Sequence, residues 1–103
     1  TMNMGDLMKQ AQQFQERLAT VQNELAGRQV SGSAGAGMVT ATLNGKGELL
    51  TLVIEPELVR PENTQMVQDL VVAAVNDGLH KAQELGKTEM AKLTGGLHIP
   101  GLL

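Results

Sequence analysis

Apolar residues first recur at Leu7, Ala11, Phe14, Leu18, Val21 and Leu25, and Met4 extends the series one step backward. The steps alternate four and three, the spacing that lines up one face of a helix with ~3.6 residues per turn. Between them lie Lys9, Gln10, Gln12, Gln13, Glu16, Arg17, Asn23 and other polar residues. This predicts an amphipathic helix from about Asp6 to Ala26 with a narrow apolar stripe. Asp6 suits the first turn, where the helix dipole favours an acid, and Gly27 suits the end.

The period then changes. Met38-Val39-Thr40-Ala41-Thr42-Leu43 carries β-branched residues in loose alternation, and Glu48 to Ile54 reads as a return strand. Asn44-Gly45-Lys46-Gly47 lies between them, and Asn-Gly is a strong hairpin signal. A shorter strand from about Arg28 to Ser33 precedes the glycine-rich stretch Gly32 to Gly37. Those glycines have the spacing of a phosphate-cradling loop, but Met38 and Val39 stand where its Lys and Ser or Thr belong. The stretch therefore reads as a hairpin bend. The expected product is an antiparallel meander of three strands. Val39, Ala41 and Leu43 would share one face with Leu50, Leu52 and Ile54.

A second helical pattern starts at Pro61 or Asn63 and runs to about Leu93, where Gly95 and Gly96 stop it. Met66, Val67, Leu70, Val71, Ala74 and Val75 give a broad apolar face, which later thins to Ala82, Leu85 and Leu93. Small residues recur every fourth position at Ala74, Gly78, Ala82 and Gly86, which predicts close approach by another backbone. The fold class is α+β: a long N-terminal helix, a three-stranded antiparallel sheet and a long C-terminal helix. Residues 1–103 make one domain, with residues 1–5 and 94–103 expected to be flexible. Thr1 ahead of Met2 reads as an appended residue. The two helices would be roughly 30 and 45 Å long. A compact chain of this size has a radius of gyration near ~13 Å. Helices that overhang so small a sheet must bury their stripes elsewhere, which predicts a homodimer.

Composition narrows the function classes. The 103 residues include no Cys, which excludes disulfides and thiolate metal sites and fits a reducing cytoplasm. No apolar run approaches the ~20 residues that span a bilayer, and no signal peptide is visible. The formal charge is -3, and Phe14 is the only aromatic residue. A base-stacking platform for single strands is therefore excluded.

Catalytic chemistry finds little support. Ser31 and Ser33 are the serines, and no Ser-His-Asp set can be assembled around His80 or His98. Asp77, His80 and Glu84 fall on one helix face, where local charge pairs explain them better than a metal site. Glu55, Glu57 and Glu62 read as a polar connector and an acidic helix start. No cofactor or metal is expected. The basic residues are more suggestive. Lys9, Arg17 and Arg28 lie on or just after the first helix, and Lys81, Lys87 and Lys92 lie late on the second. Helix electrostatics alone favour acids first and bases last. A dimer would nonetheless present the same basic edge twice, and phosphates reward such an edge even on an acidic protein.

The order of these elements is tied to specific wording. "LMKQAQQFQERLATVQNELA" precedes "VSGSAGAGMVTATLNGKGELLTLVIEPEL", followed by "LVVAAVNDGLHKAQEL" and "MAKLTGGLHIPG". Over nearly its whole length the chain resembles the YbaB/EbfC family of bacterial nucleoid-associated proteins. The resemblance implies a cytoplasmic, non-enzymatic, cofactor-free homodimer joined through its sheets, with projecting helices that hold duplex DNA. It implies a role in nucleoid organisation and gene expression. Lys9, Lys81 and Lys92 match positions usual in the family, and Arg17 and Lys87 join them as DNA-binding candidates. Gly78 stands where the family commonly has Ala, a departure expected to loosen the long helix. With so few bases, contact should be local, backbone-directed and salt-sensitive, with little sequence preference. The alternative is an adaptor whose apolar seam and tail bind a replication or recombination protein.

Overall fold

The structure is a computed structural model that describes residues 3–95. The expectations placed on Thr1, His98, Leu102, Leu103 and the rest of the tail lie outside the described residues. The first helix, α1, spans Met4–Gly27. It starts two residues ahead of Asp6, because the Asn3 side chain accepts the Asp6 N–H at 2.8 Å and caps it. Three strands come next: β1 at Gln29–Ala34, β2 at Val39–Asn44 and β3 at Leu49–Ile54. They form an antiparallel sheet in the order β1-β2-β3. Two single 3₁₀ turns, Pro56–Leu58 and Pro61–Asn63, lead into the second helix, α2, at Thr64–Thr94. The expected fold class is observed.

The glycine-rich stretch divides in two. Gly35, Ala36 and Gly37 make the β1–β2 bend, with φ of 64°, 55° and 87°. Gly32 is not part of the bend but lies within β1, paired with Ala41. Its role is packing. A Cβ at Gly32 would strike the backbone of α2 at Gly78 N and Ala74 O. The helix rests directly on β1 because neither Gly32 nor Gly78 has a side chain in the way. α2 continues through Gly78 unbroken.

The Asn44-Gly45 signal marks the second hairpin, but the turn differs from a two-residue one. The loop runs to Glu48, and the positive φ, 87°, belongs to Gly47. Asn44 organises it. Its Oδ1 accepts the N–H groups of Lys46 and Glu48 at 3.0 Å each, and its Nδ2 donates to Glu48 Oε1 at 2.9 Å. This is how a polar side chain can be buried here at little cost. Gly45 donates its N–H to Leu25 O at 2.9 Å, which ties the loop to the base of α1.

The core is a single layer. Val39, Ala41 and Leu43 of β2 pack on Ala74 of α2, with Val30, Leu70, Val71 and Leu79 around them. β3 contributes little to it. Leu49, Leu50, Leu52 and Val53 remain exposed, Val53 at 63%. Simple alternation would place Leu50 on the Leu43 face. A register shift at Thr42/Leu43 instead sets Leu43 opposite Leu49. The molecule is far from compact, 70 × 24 × 16 Å with a radius of gyration of 19.6 Å. The far ends of the helices account for the excess length.

Candidate nucleic-acid interface

Outside the sheet, α1 and the last third of α2 run together. Arg17, Thr20 and Val21 of α1 face Glu89, Lys92 and Leu93 of α2 across an open groove of about 590 Å³. Burial along α1 falls steadily from base to tip. Leu25 is 7% exposed, Phe14 41%, Leu7 48% and Met4 71%. The heptad stripe is thus satisfied only where the sheet and α2 reach it.

The basic residues divide by the company they keep. Arg17 and Lys92 line the same groove, while Lys9 lies farther out on the exposed part of α1. Neither Lys9 nor Arg17 has an ion-pair partner among the described residues. The other candidates are engaged within the chain. Lys92 pairs with Glu89 at 3.2 Å, and Arg28 reaches the same carboxylate at 3.6 Å. Glu89 is only 16% exposed and clasps the start of β1 to α2. Lys87 pairs with Glu84 at 3.5 Å on the outer face.

Lys81 has a structural task. Its Nζ donates to Ser31 O at 2.9 Å and pairs with Asp77 at 3.3 Å. Asp77 in turn accepts the Ser33 N–H at 3.0 Å. That hydrogen bond, with Lys81 beside it, holds the Asp77 carboxyl below its ordinary range. Asp77 and Lys81 thus stitch α2 to β1, and no set of three metal-ligating side chains exists among the described residues. Ser31 and Ser33 enter this stitch through their backbone atoms, a carbonyl oxygen and an N–H.

Two further basic residues stand outside the sequence pattern. Lys46 projects from the β2–β3 loop, beside Gln83 and Gly86 of α2. Arg60 lines an apolar hollow with Val59, Pro61 and Val67 at the start of α2. Neither has an ion-pair partner among the described residues. The sequence does carry a signal for Lys46, since a lysine between two glycines in a hairpin loop must be exposed.

An elongated α+β chain whose projecting helices flank a groove lined by Arg17 and Lys92 beside Glu16, Glu24 and Glu89 has well-defined relatives. The profile of the YbaB/EbfC DNA-binding family matches residues 1–97. The chain belongs to that family. It is 46% identical to a nucleoid-associated protein of Desulfotalea psychrophila, over 98% of this chain and 95% of that one. It is 50% identical to a nucleoid-associated protein of Granulibacter bethesdensis, over 95% of this chain and 92% of that one. The crystal structure of an uncharacterized protein from Helicobacter pylori has the same fold, with a TM-score of 0.83 at 24% identity. The match covers 92% of this chain and 100% of that one.

Proposed function

We propose that this chain is a non-enzymatic nucleoid protein that binds duplex DNA as a homodimer, with little sequence preference, and so shapes nucleoid organisation and gene expression. Membership of a DNA-binding family supports the ligand class. Relatives named as nucleoid-associated proteins support a place on the nucleoid, in the cytoplasm. Among the described residues no helix is long and apolar enough to cross a membrane. The observation that carries the reading is the pair Arg17 and Lys92 on two projecting helices, in a groove they share with Glu16, Glu24 and Glu89, so that only local phosphate contacts fit it. Phosphates would first meet Lys9 and Arg17, which have no ion-pair partner among the described residues, and then compete with acids for Lys81, Lys87 and Lys92. Such contacts position a duplex without reading its bases.

The dimer rests on β3. That strand has an open edge and exposes Leu49, Leu50, Leu52 and Val53. An unprotected apolar edge invites pairing with a second strand. Pairing there would double the cation-bearing helices and fix their separation. Both helices then act as arms on one continuous sheet.

The test is fluorescence anisotropy of a labelled duplex at about 50 and about 200 mM salt. If only Lys9 and Arg17 of each protomer neutralise phosphates, affinity should fall on the order of a hundredfold over that range. Lys9→Glu with Arg17→Glu should remove binding and leave the dimer intact by sedimentation. Absence of binding at low salt by a folded dimer would shift the reading to an adaptor for a replication or recombination protein. The exposed apolar residues Met4, Leu7 and Met8 on α1 favour that second reading.

A further inference from the structure

One carboxylate oxygen on α2 serves two bases on different elements. Glu89 Oε1 lies 3.2 Å from Lys92 Nζ on the same helix. The same oxygen lies 3.6 Å from Nη1 of Arg28, the residue directly before β1. The acid is the sheltered member of this trio, while both bases are more than half exposed. The neighbouring pair on the projecting part of α2 is different, because Glu84 and Lys87 are both well exposed. Water and salt screen such a pair, and its members exchange partners freely. A carboxylate withdrawn from water needs its cations, since an unpaired charge there is costly. Glu89 therefore holds Lys92 more firmly than Glu84 holds Lys87.

Glu89 and Lys92 also line the groove shared with Arg17. A phosphate approaching Lys92 there meets a carboxylate already in place. Both anions engage a lysine through the same kind of charge-assisted hydrogen bond. Lys92 thus gains little by leaving one for the other, and Glu89 would keep Arg28 as its remaining partner. Lys9 and Arg17 face no such exchange, having no ion-pair partner among the described residues.

Resting on the reading of these helices as DNA-binding arms, we propose that Glu89 is an internal competitor for phosphate that sets the affinity of the groove for duplex DNA. While it holds Lys92 and Arg28, each protomer offers the duplex fewer cations than its sequence carries. Binding is weaker, and more readily reversed, than the number of bases on the arms implies. Affinity is governed by one sheltered carboxylate rather than by the overall charge of the chain.

The test is an anisotropy titration of a labelled duplex at about 50 and about 200 mM salt, on the full chain and on Glu89→Gln. The amide keeps the size of the side chain and an acceptor oxygen for Arg28, so the clasp on β1 is retained. Freeing Lys92 adds one phosphate contact on each protomer of the dimer. The variant should bind more tightly at low salt, and its loss of affinity between the two salt concentrations should be about tenfold greater than the parent's. Glu89→Gln with Lys92→Gln should return the salt dependence to that of the parent. Glu62→Gln removes the same charge from the turn before α2 and should change neither quantity. If the amide variant does not fold, Glu89→Asp, which draws the carboxylate back from Lys92, should shift binding in the same direction. With the parent binding, an unchanged salt dependence in Glu89→Gln would overturn the proposal and leave the DNA-binding reading standing. An equal change in Glu62→Gln would assign the effect to net charge and overturn it as well. Absence of binding by parent and Glu89→Gln alike would overturn both.

Discussion

The two halves of α2 obey the same sequence rule and meet opposite fates. Small residues recur every four positions at Ala74, Gly78, Ala82 and Gly86. Along the part that crosses the sheet, Ala74, Gly78 and Ala82 are buried. A Cβ at Gly78 would collide with Leu43, itself fully buried, and would touch Gly32. In the second half, a Cβ at Gly86 would meet nothing within 4 Å. Periodicity identifies a helix face, but not whether another backbone lies on it. The charges repeat the lesson. Asp77 and Lys81, in the packed half, bind the backbone of β1. Glu84 and Lys87, one turn or two further, pair only with each other, in solvent.

The contrast is sharpest at the helix–sheet contact. Gly32→Ala puts a methyl group into the backbone of α2 and should cost about 3 kcal/mol, near the upper end for overpacking. Gly78→Ala should cost somewhat less, because a side chain rather than backbone is its nearest obstacle. Urea unfolding midpoints measure both. Unchanged midpoints would mean that α2 does not rest on β1 as described. Gly86→Ala should act in the opposite direction, adding about 1 kcal/mol by removing a helix-interior glycine from an open site. In a domain of this size that raises Tm by about 4–8 °C. A loss of stability there would reveal a neighbour in the assembled protein.

The smallest effect concerns acid. Because the folded state lowers the Asp77 pKa from its ordinary 3.8, the Asp77 hook contributes fully above that value. Its contribution is lost as pH falls through 3.8 toward the lower folded value. Asp77→Asn should therefore lower Tm at pH 6 and approach the parent as pH falls below about 4. Glu84→Gln, in the projecting half, should leave the same curve unmoved, since exposed pairs contribute little.

The candidate site is legible in the sequence only in part. Lys9 falls on the polar side of α1 and Arg17 flanks its stripe, because a helix fixes where each side chain stands relative to that stripe. Lys81 and Lys92 look equivalent to them in sequence, yet the structure commits both to carboxylates within the chain. Lys46 is legible only as an exposed lysine between the two glycines of a hairpin loop, and Arg60, a single base in a connector, belongs to no pattern.

Local sequence is enough to set the kind and order of the elements: a seamed helix, three strands, a long helix. Hydrophobic period is a local property, imposed by backbone geometry over a few residues at a time. Asn3, Gly27 and Gly95 mark helix ends for equally local reasons. Only the tertiary structure decided which of several similar positions are covered. Leu25 is buried and Leu7 is bare on one stripe, and Gly78 is packed against Leu43 while Gly86 faces open space on another. Burial and charge pairing depend on what the chain brings alongside from far away in sequence, and no local pattern encodes that.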